Sequence, residues 1–493
     1  MTELHFPWLD ALVLMPLIAA VLVGQLHDAF VARKWAIVAS GITLLLAICA
    51  WQDFGIMDRS QADDAWHLST MLFGRELFAM DRLSAPLLPL TALLYFLTAL
   101  TTQRTKIRRF SFGLMLLSEG LVLGTFASLD PWMIIGLTIA GTVPPLLELL
   151  GRKRSVRVYL TYQSVFILCL FFGWMFAAAE GNVKVHTLWA IVPLLLAVLI
   201  RSGMAPVHGW LTDLFGNATL GTALLTAAPL PGMYLAVRLL LPIAPDWILQ
   251  SMGLVSLFTA VYAAGMSLVQ REARRFFCYL FLSHSAMVLV GLEMVTPIGV
   301  TGALCLWLSV GLSLGGLGLV IRAVEARCGR VHLDDYLGLY EHMPLVAVCF
   351  FLMAIGSVGF PGTLGFVGAE LLIDGAVEAY PSIGAAVIVA ATLNGIAIMR
   401  AYFLIFTGKR HSTTVNLNML MRERIAILTL VVLILGGGIW PQPGVLLRHQ
   451  AARELLERTG HPAALTTPAY SHAHGEGHQA DPDAMPNRDA PPQ

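Results

Sequence analysis

The sequence predicts an all-α polytopic membrane protein, with about 14 transmembrane helices in two inverted five-helix repeats and with broken helices among them. Three observations carry that reading. Apolar residues make up 57% of the chain and charged residues 13%, with a mean hydropathy of +0.74, far beyond what a water-exposed domain carries. The apolar runs repeatedly reach the roughly 20 residues that a helix needs to cross a bilayer. Two of those runs are interrupted by glycine and proline in corresponding places, a pattern that points to inverted repeats with a site near the midplane.

A hydropathy window of about 19 residues places the spans in order. The first three lie near 9–25, 35–51 and 84–101. The amino terminus carries Glu3 and Asp10 and no basic run, so the first span is expected to be retained and not cleaved as a signal peptide. Spans near 111–129, 131–150, 159–179, 187–211 and 218–242 form the first repeat. Those near 250–270, 275–296, 299–322, 344–372 and 383–407 form the second, and one near 424–443 closes the membrane part. The chain thus divides into amino-terminal helices with a periplasmic loop (1–110), the repeats (111–242 and 250–407), a last helix (408–444) and a tail (445–493). The tail opens with an amphipathic segment, Val445 to Glu457, and continues in a Pro-, His- and Asp-rich run expected to be disordered.

Orientation follows from the basic connections. Arg104, Lys106, Arg108 and Arg109 follow span 3, and Arg152, Lys153, Arg154 and Arg157 follow span 5. Arg271, Arg274 and Arg275 fall on the same side, as do Lys409, Arg410, Arg422 and Arg424, whereas the loop from 52 to 82 carries Asp53, Asp58, Asp63 and Asp64. The positive-inside rule then puts the basic side in the cytoplasm and both termini outside.

The most informative motif is Arg201-Ser-Gly-Met-Ala-Pro206-Val-His208-Gly-Trp210. An arginine in the hydrocarbon costs about 2.5 to 3.5 kcal/mol on insertion scales, so Arg201 marks an internal polar site. Pro206 removes a backbone donor and the flanking glycines loosen the helix, which opens the backbone beside His208. Arg201 is read in two ways: as part of a polar pathway, or as half of a structural ion pair with Glu119 or Glu148. His208 titrates near neutrality and is the better proton relay, although a histidine at a helix break is equally an ordinary structural element. The second interruption, Gly359-Phe-Pro361-Gly362-Thr-Leu-Gly365, precedes Glu370 and Asp374, which share a helix face four residues apart. His284, beyond the basic turn at Arg274 and Arg275, needs a polar partner inside the membrane. Glu119 lies deep in span 4, while Glu148 adjoins a basic turn and is expected at the interface. The candidate proton-pathway residues are therefore Arg201, His208, His284, Glu370, Asp374 and Glu119.

Other chemistry is not indicated. The six cysteines never form a Cys-x-x-Cys pair, so neither an iron–sulfur site nor a disulfide framework is expected. No phosphate loop, nucleophile elbow or zinc-spaced ligand set is present, and no catalytic residue, cofactor or metal is assigned. His472, His474, Glu476 and His478 in the tail form only a loose metal-like cluster. Zero net charge argues against nucleic acid as a partner.

Several segments resemble a known family. They are Ala205 to Leu211, Glu272-Ala-Arg274-Arg275 through Ser283-His284, Gly359 to Thr363 with Gly365-Phe-Val-Gly368, Arg400-Ala-Tyr-Phe, and Trp440-Pro-Gln-Pro443. In this order, from about Glu76 to Pro443, they are similar to the proton-pumping, antiporter-like membrane subunits of respiratory complex I, of the subunit M type. Relatives of those subunits include parts of Mrp-type cation/proton antiporters. The resemblance implies a bacterial inner-membrane protein packed beside similar subunits, with a midplane chain of charges and with quinone reduction elsewhere supplying the energy. It implies protons or monovalent cations as the moving species, the lipid bilayer and other membrane subunits as partners, and no redox centre in this chain. The family's lysine before the Pro-x-His motif is Arg201 here, its glutamate in span 5 is Ile139, its lysine in span 8 is Leu230, and its histidine in span 11 is Val310. The acid of span 12 is Ala369, with Glu370 one residue on, a rotation of about 100°. The implied function is proton translocation coupled to electron transport, by a full or reduced path. The alternatives are an Mrp-type antiporter or inorganic-carbon uptake subunit, and a non-conducting membrane scaffold.

Overall fold

A computed structural model describes residues 3–57, 59–65, 76–181, 183, 186–408 and 419–458. It is an all-α membrane protein with one short hairpin. Helices α1 (Trp8–Gly24) and α2 (Ala29–Met57) lead into strands β1 (Gln61–Asp63) and β2 (Ala79–Asp81), which pair antiparallel with Ala62 opposite Met80. Then come α3 (Leu87–Thr101) and α4 (Phe112–Ala127), joined by a 3₁₀ turn, followed by α5 (Pro131–Ala140), α6 (Val143–Gly151) and α7 (Arg157–Glu180). The starts of these helices are written in the sequence. Ser111 and Asp130 accept from the backbone N–H of Leu114 and Met133, and Pro131 sits where a helix needs no donor.

The first expected interruption separates α8 (Leu188–Ser202) from α9 (Gly209–Asn217). Gly203 ends α8 in the left-handed region at φ 73°, which glycine adopts without steric penalty, and the Ala205-Pro206 bond is cis. A further break lies between α10 (Leu220–Ala227) and α11 (Pro231–Leu235). There Leu230 sits at φ 57° between Pro229 and Pro231, and α11 runs into a π-helical turn, Ala236–Leu240. The freed carbonyl of Pro229 accepts from the Trp307 indole at 3.1 Å, as a backbone group withdrawn from water requires.

The second half comprises α12 (Asp246–Val269), α13 (Ala273–Glu293) and α14 (Pro297–Cys328), then α15 (Pro344–Val358) and α16 (Leu364–Ala379) across the second interruption. Gly359 and Gly362, at φ 82° and 87°, make that break, and Thr363 caps α16 through the Phe366 N–H. Helices α17 (Pro381–Phe406), α18 (Met421–Ile439) and α19 (Gln442–Arg458) complete the described chain, with α19 turned 79° from α18. Among the described residues, eight stretches are long and apolar enough to cross a membrane unaided, and α1, α3, α4, α8 and α15 are shorter apolar helices. Helices α13 and α14 are buried along nearly their whole length, whereas α2, α7 and α17 keep most of their residues on the surface. Apolar side chains such as Ile56, Leu168 and Val389 cover that outer face, as a lipid-facing wall requires.

Polar ties hold the end of the bundle that carries the hairpin. Asp81 of β2 takes both terminal nitrogens of Arg238 at 2.7 and 2.8 Å, and the guanidinium lies 4.8 Å from the Tyr234 ring centroid. Arg82 binds Glu454 at 2.8 Å, while Arg448 donates to the Leu83 carbonyl, which docks α19 on the hairpin. Asp64 accepts from the Asp10 backbone N–H at 2.7 Å at the start of α1. Burial first, and then the nearby Asp10 carboxylate, push Asp64 up to about 7 from an ordinary 3.8. Its folded form therefore holds a proton that the unfolded chain releases sooner. That stabilisation is complete below about pH 4 and is lost as pH rises through about 7. Asp64→Asn should accordingly match the parent in thermal stability at about pH 4 and exceed it near pH 8; a pH-independent difference in Tm would refute the assignment.

The tail cluster at His472, His474, Glu476 and His478 lies outside the described residues, as do Asp58, Lys409 and Arg410.

Candidate functional site

Arg201 occupies the last turn of α8, where the negative end of the helix dipole favours a cation, and it is buried. Its guanidinium carbon lies 5.7 Å from the Trp210 ring centroid, with Tyr95 of α3 and Tyr159 of α7 within electrostatic reach. Among the described residues it forms no ion pair, and its Nε meets no acceptor. The ion-pair expectation is thus corrected for both acids. Glu148, beside the basic turn that follows α6, is buried, and its carboxylate accepts from the Thr219 backbone at 2.7 Å and from the Thr219 and Thr222 hydroxyls. Glu119 of α4 is fully buried with neither carboxylate oxygen bonded. Tyr95 stands within electrostatic reach of both Glu119 and Arg201, and its hydroxyl meets Ser118 at 2.7 Å. A carboxyl with two unmatched oxygens in an apolar core is a costly arrangement, and such groups concentrate at functional positions.

His208 is half-buried at the start of α9, its Nδ1 unbonded, and its ring meets Tyr262 of α12 and Tyr279 of α13 edge-on or tilted, at 5.7 and 6.0 Å. His284, on α13, is buried with both ring nitrogens facing carbonyls, Nδ1 to Leu280 at 2.9 Å and Nε2 to Ser357 at 3.0 Å. A neutral imidazole can donate to only one of the two. Ser357 lies in the last turn of α15, so His284 supplies a donor to a carbonyl that the second break leaves free. Beside it, Asn394 of α17 donates to the Ser283 hydroxyl, which donates in turn to the Ala260 carbonyl.

One helix therefore joins the two interruptions. Tyr279 touches the His208 ring, Leu282 packs where a side chain at Gly203 would stand, and His284 holds Ser357. The structure sets Glu119 and Arg201 within reach of Tyr95, places His208 against Tyr279 of α13, and carries His284 farther along the same helix. It does not bring Glu370 and Asp374 to them. Both are exposed on the outer face of α16, in line with Glu378, while Ala369 faces Gly359 across the break.

Sequence reasoning passed over Tyr95, Tyr159 and Trp210, which read as core aromatics, and it also passed over Glu293. That glutamate ends α13 with its Oε2 unbonded beside Gly253, lining a cavity of about 540 Å³ with Asp246 and Gln250. Arg238 and Arg322 could have been found by the reasoning applied to Arg201, since each is an arginine within an apolar run.

Fold and site together define a polytopic membrane protein with interrupted helices and buried polar groups left unbonded beside them. Residues 164–395 match the family described as NADH:quinone oxidoreductase/Mrp antiporter, TM. Over that stretch, a little under half of its length, the chain is similar to the membrane subunits that the family gathers. It is 27% identical to the chloroplastic NAD(P)H-quinone oxidoreductase chain 4 of Mesostigma viride, over 89% of this chain and 94% of that one. It is 29% identical to NADH-quinone oxidoreductase subunit 13 of Thermus thermophilus, over 62% of this chain and 70% of that one. In fold it resembles a chain of respiratory complex I from Thermus thermophilus with bound NADH (TM-score 0.78, 23% identity, 92% and 100% covered). A chain of the Mrp complex from a Dietzia species is equally similar (TM-score 0.78, 20% identity, 93% and 99% covered).

Proposed function

We propose that this chain is a membrane subunit of a quinone-reducing respiratory complex and lends it a proton path. The observation that carries the reading is the buried series running from Glu119 past Tyr95 to Arg201, and from His208 along α13 to His284. The path it offers has a permanent cation at Arg201, so the titrating groups are Glu119 and the two histidines, with Arg201 setting the potential they feel. Glu370 and Asp374 belong to this path only if a neighbouring subunit covers them and continues it outward. The reading carries with it about 14 spans, inverted repeats at 111–242 and 250–407, and both termini on the periplasmic side of a bacterial inner membrane. Names of the relatives found by sequence favour this assembly over an Mrp-type antiporter.

The test is purification of the tagged chain from its native membranes under mild detergent. Co-purifying subunits that reduce quinone, and that acidify proteoliposomes when supplied with reductant, are the expected result. Recovery with cation/proton exchange activity and no quinone reduction would refute the assignment.

A further inference from the structure

At the end of the bundle opposite the hairpin, Arg109, Arg152, Arg154, Arg274, Arg322 and Arg330 line a cavity of about 290 Å³. It adjoins a second, of about 690 Å³, that shares three of them and adds Arg108. Two carboxylates line the pair of cavities, and both are already engaged. Glu325 takes Arg274 Nε and a terminal nitrogen at 2.7 to 2.9 Å, and Glu148 is held by Thr219 and Thr222.

The arginines fall into two sets. Arg274, Arg322 and Arg330 are anchored: Arg274 also donates to the Ala218 carbonyl at 3.0 Å, Arg322 to the Thr98 carbonyl and Thr102 hydroxyl at 2.9 and 2.8 Å, and Arg330 to the Gly216 carbonyl at 2.7 Å. Arg109, Arg152 and Arg154 have no such bonds among the described residues. Burial, and then the charges of Arg274, Arg154 and Arg109, hold the Arg152 guanidinium below its usual range against the opposing pull of Glu148. Like charges are thus crowded around two carboxylates that are already bonded, and the exposed Arg109 and Arg154 with the half-buried Arg152 are placed to take a further anion.

We propose that these joined cavities bind a phosphate group, the headgroup of an acidic phospholipid. Guanidinium forks match phosphate oxygens in pairs, and basic pockets among membrane helices suit anionic headgroups. The walls favour a lipid over a free ion. Leu114 and Leu147 line the larger cavity, and the exposed faces of Val143, Leu147 and Leu150 on α6 continue from it along the bundle surface, where acyl chains would lie. A bound headgroup would tie the 3₁₀ turn before α4 to the α6–α7 connection and the end of α14.

The proposal is tested on the full chain with the subunits that accompany it, delipidated in detergent and titrated separately with phosphatidylglycerol, phosphatidylcholine and inorganic phosphate, with bound lipid read by native mass spectrometry. Phosphatidylglycerol should be retained about tenfold or more tightly than phosphatidylcholine. Arg152→Gln with Arg154→Gln should weaken it by about tenfold or more, while the corresponding lysine pair keeps most of the binding. Arg271→Gln, outside the cavities, should change nothing. If the glutamine pair does not fold, Arg109→Gln, at an exposed position between helices, should still lower retention severalfold. Inorganic phosphate that binds without phosphatidylglycerol doing so would keep the anion site but overturn the lipid assignment. Phosphatidylglycerol retention unaltered by Arg152→Gln/Arg154→Gln or by Arg109→Gln, or no binding of either anion, overturns the proposal.

Discussion

Replacing Glu119 with leucine is expected to make the protein more stable and a poorer proton conductor at once. The parent carboxyl is fully buried with both oxygens unbonded, so removing it relieves a desolvation cost of about 1 to 3 kcal/mol. Tyr95 and Ser118 keep their mutual hydrogen bond, and no cation loses a direct partner, because Arg201 forms no ion pair with this acid. The same change removes the acid within electrostatic reach of Tyr95. Thermal unfolding of the purified chain and the number of protons moved per electron in the assembled complex check the two halves. A Glu119→Leu protein that loses stability, or one that translocates protons with the parent ratio, would show that the buried acid is structural.

The outward acids of α16 give the second large effect, and its sign depends on the surroundings. An ionised carboxylate left against lipid near the middle of a helix costs about 2.5 to 3.5 kcal/mol on insertion scales. Glu370→Leu with Asp374→Leu should therefore stabilise the isolated chain in a lipid nanodisc. In the complex the same pair should weaken association, because a neighbouring subunit that covers these acids must supply donors or cations that the leucines strand. Breaking one side of such a buried pairing costs about 3 to 5 kcal/mol, enough to dissociate a subunit during purification. Unchanged recovery of the complex with the double variant would mean that this face meets lipid alone.

These two predictions concern acids that the sequence treats alike and the fold separates. Apolar run length and the glycine–proline interruptions made the helices and both breaks legible, since each rests on local backbone chemistry. Arg201, His208 and His284 were legible as well, because polar groups in apolar runs need an internal setting. The facing of Glu370 was not. Spacing puts Glu370 and Asp374 on one side of α16, but which side looks inward depends on how α14 packs on α16, a contact between distant segments. The Arg238–Asp81 pair escaped for a related reason, as its members are 157 positions apart and one belongs to the hairpin. The left-handed Leu230 was signalled by its flanking prolines, yet nothing local shows that the Trp307 indole would take up the freed carbonyl.

Helix α13 has a mechanical meaning. With one face against His208 and Gly203 and another holding Ser357, it fixes the distance between the two gaps in the backbone as a strut does. A slide of this helix along its axis that frees the Ser357 carbonyl must also shift Tyr279 and Leu282, so the two gaps cannot loosen on separate clocks.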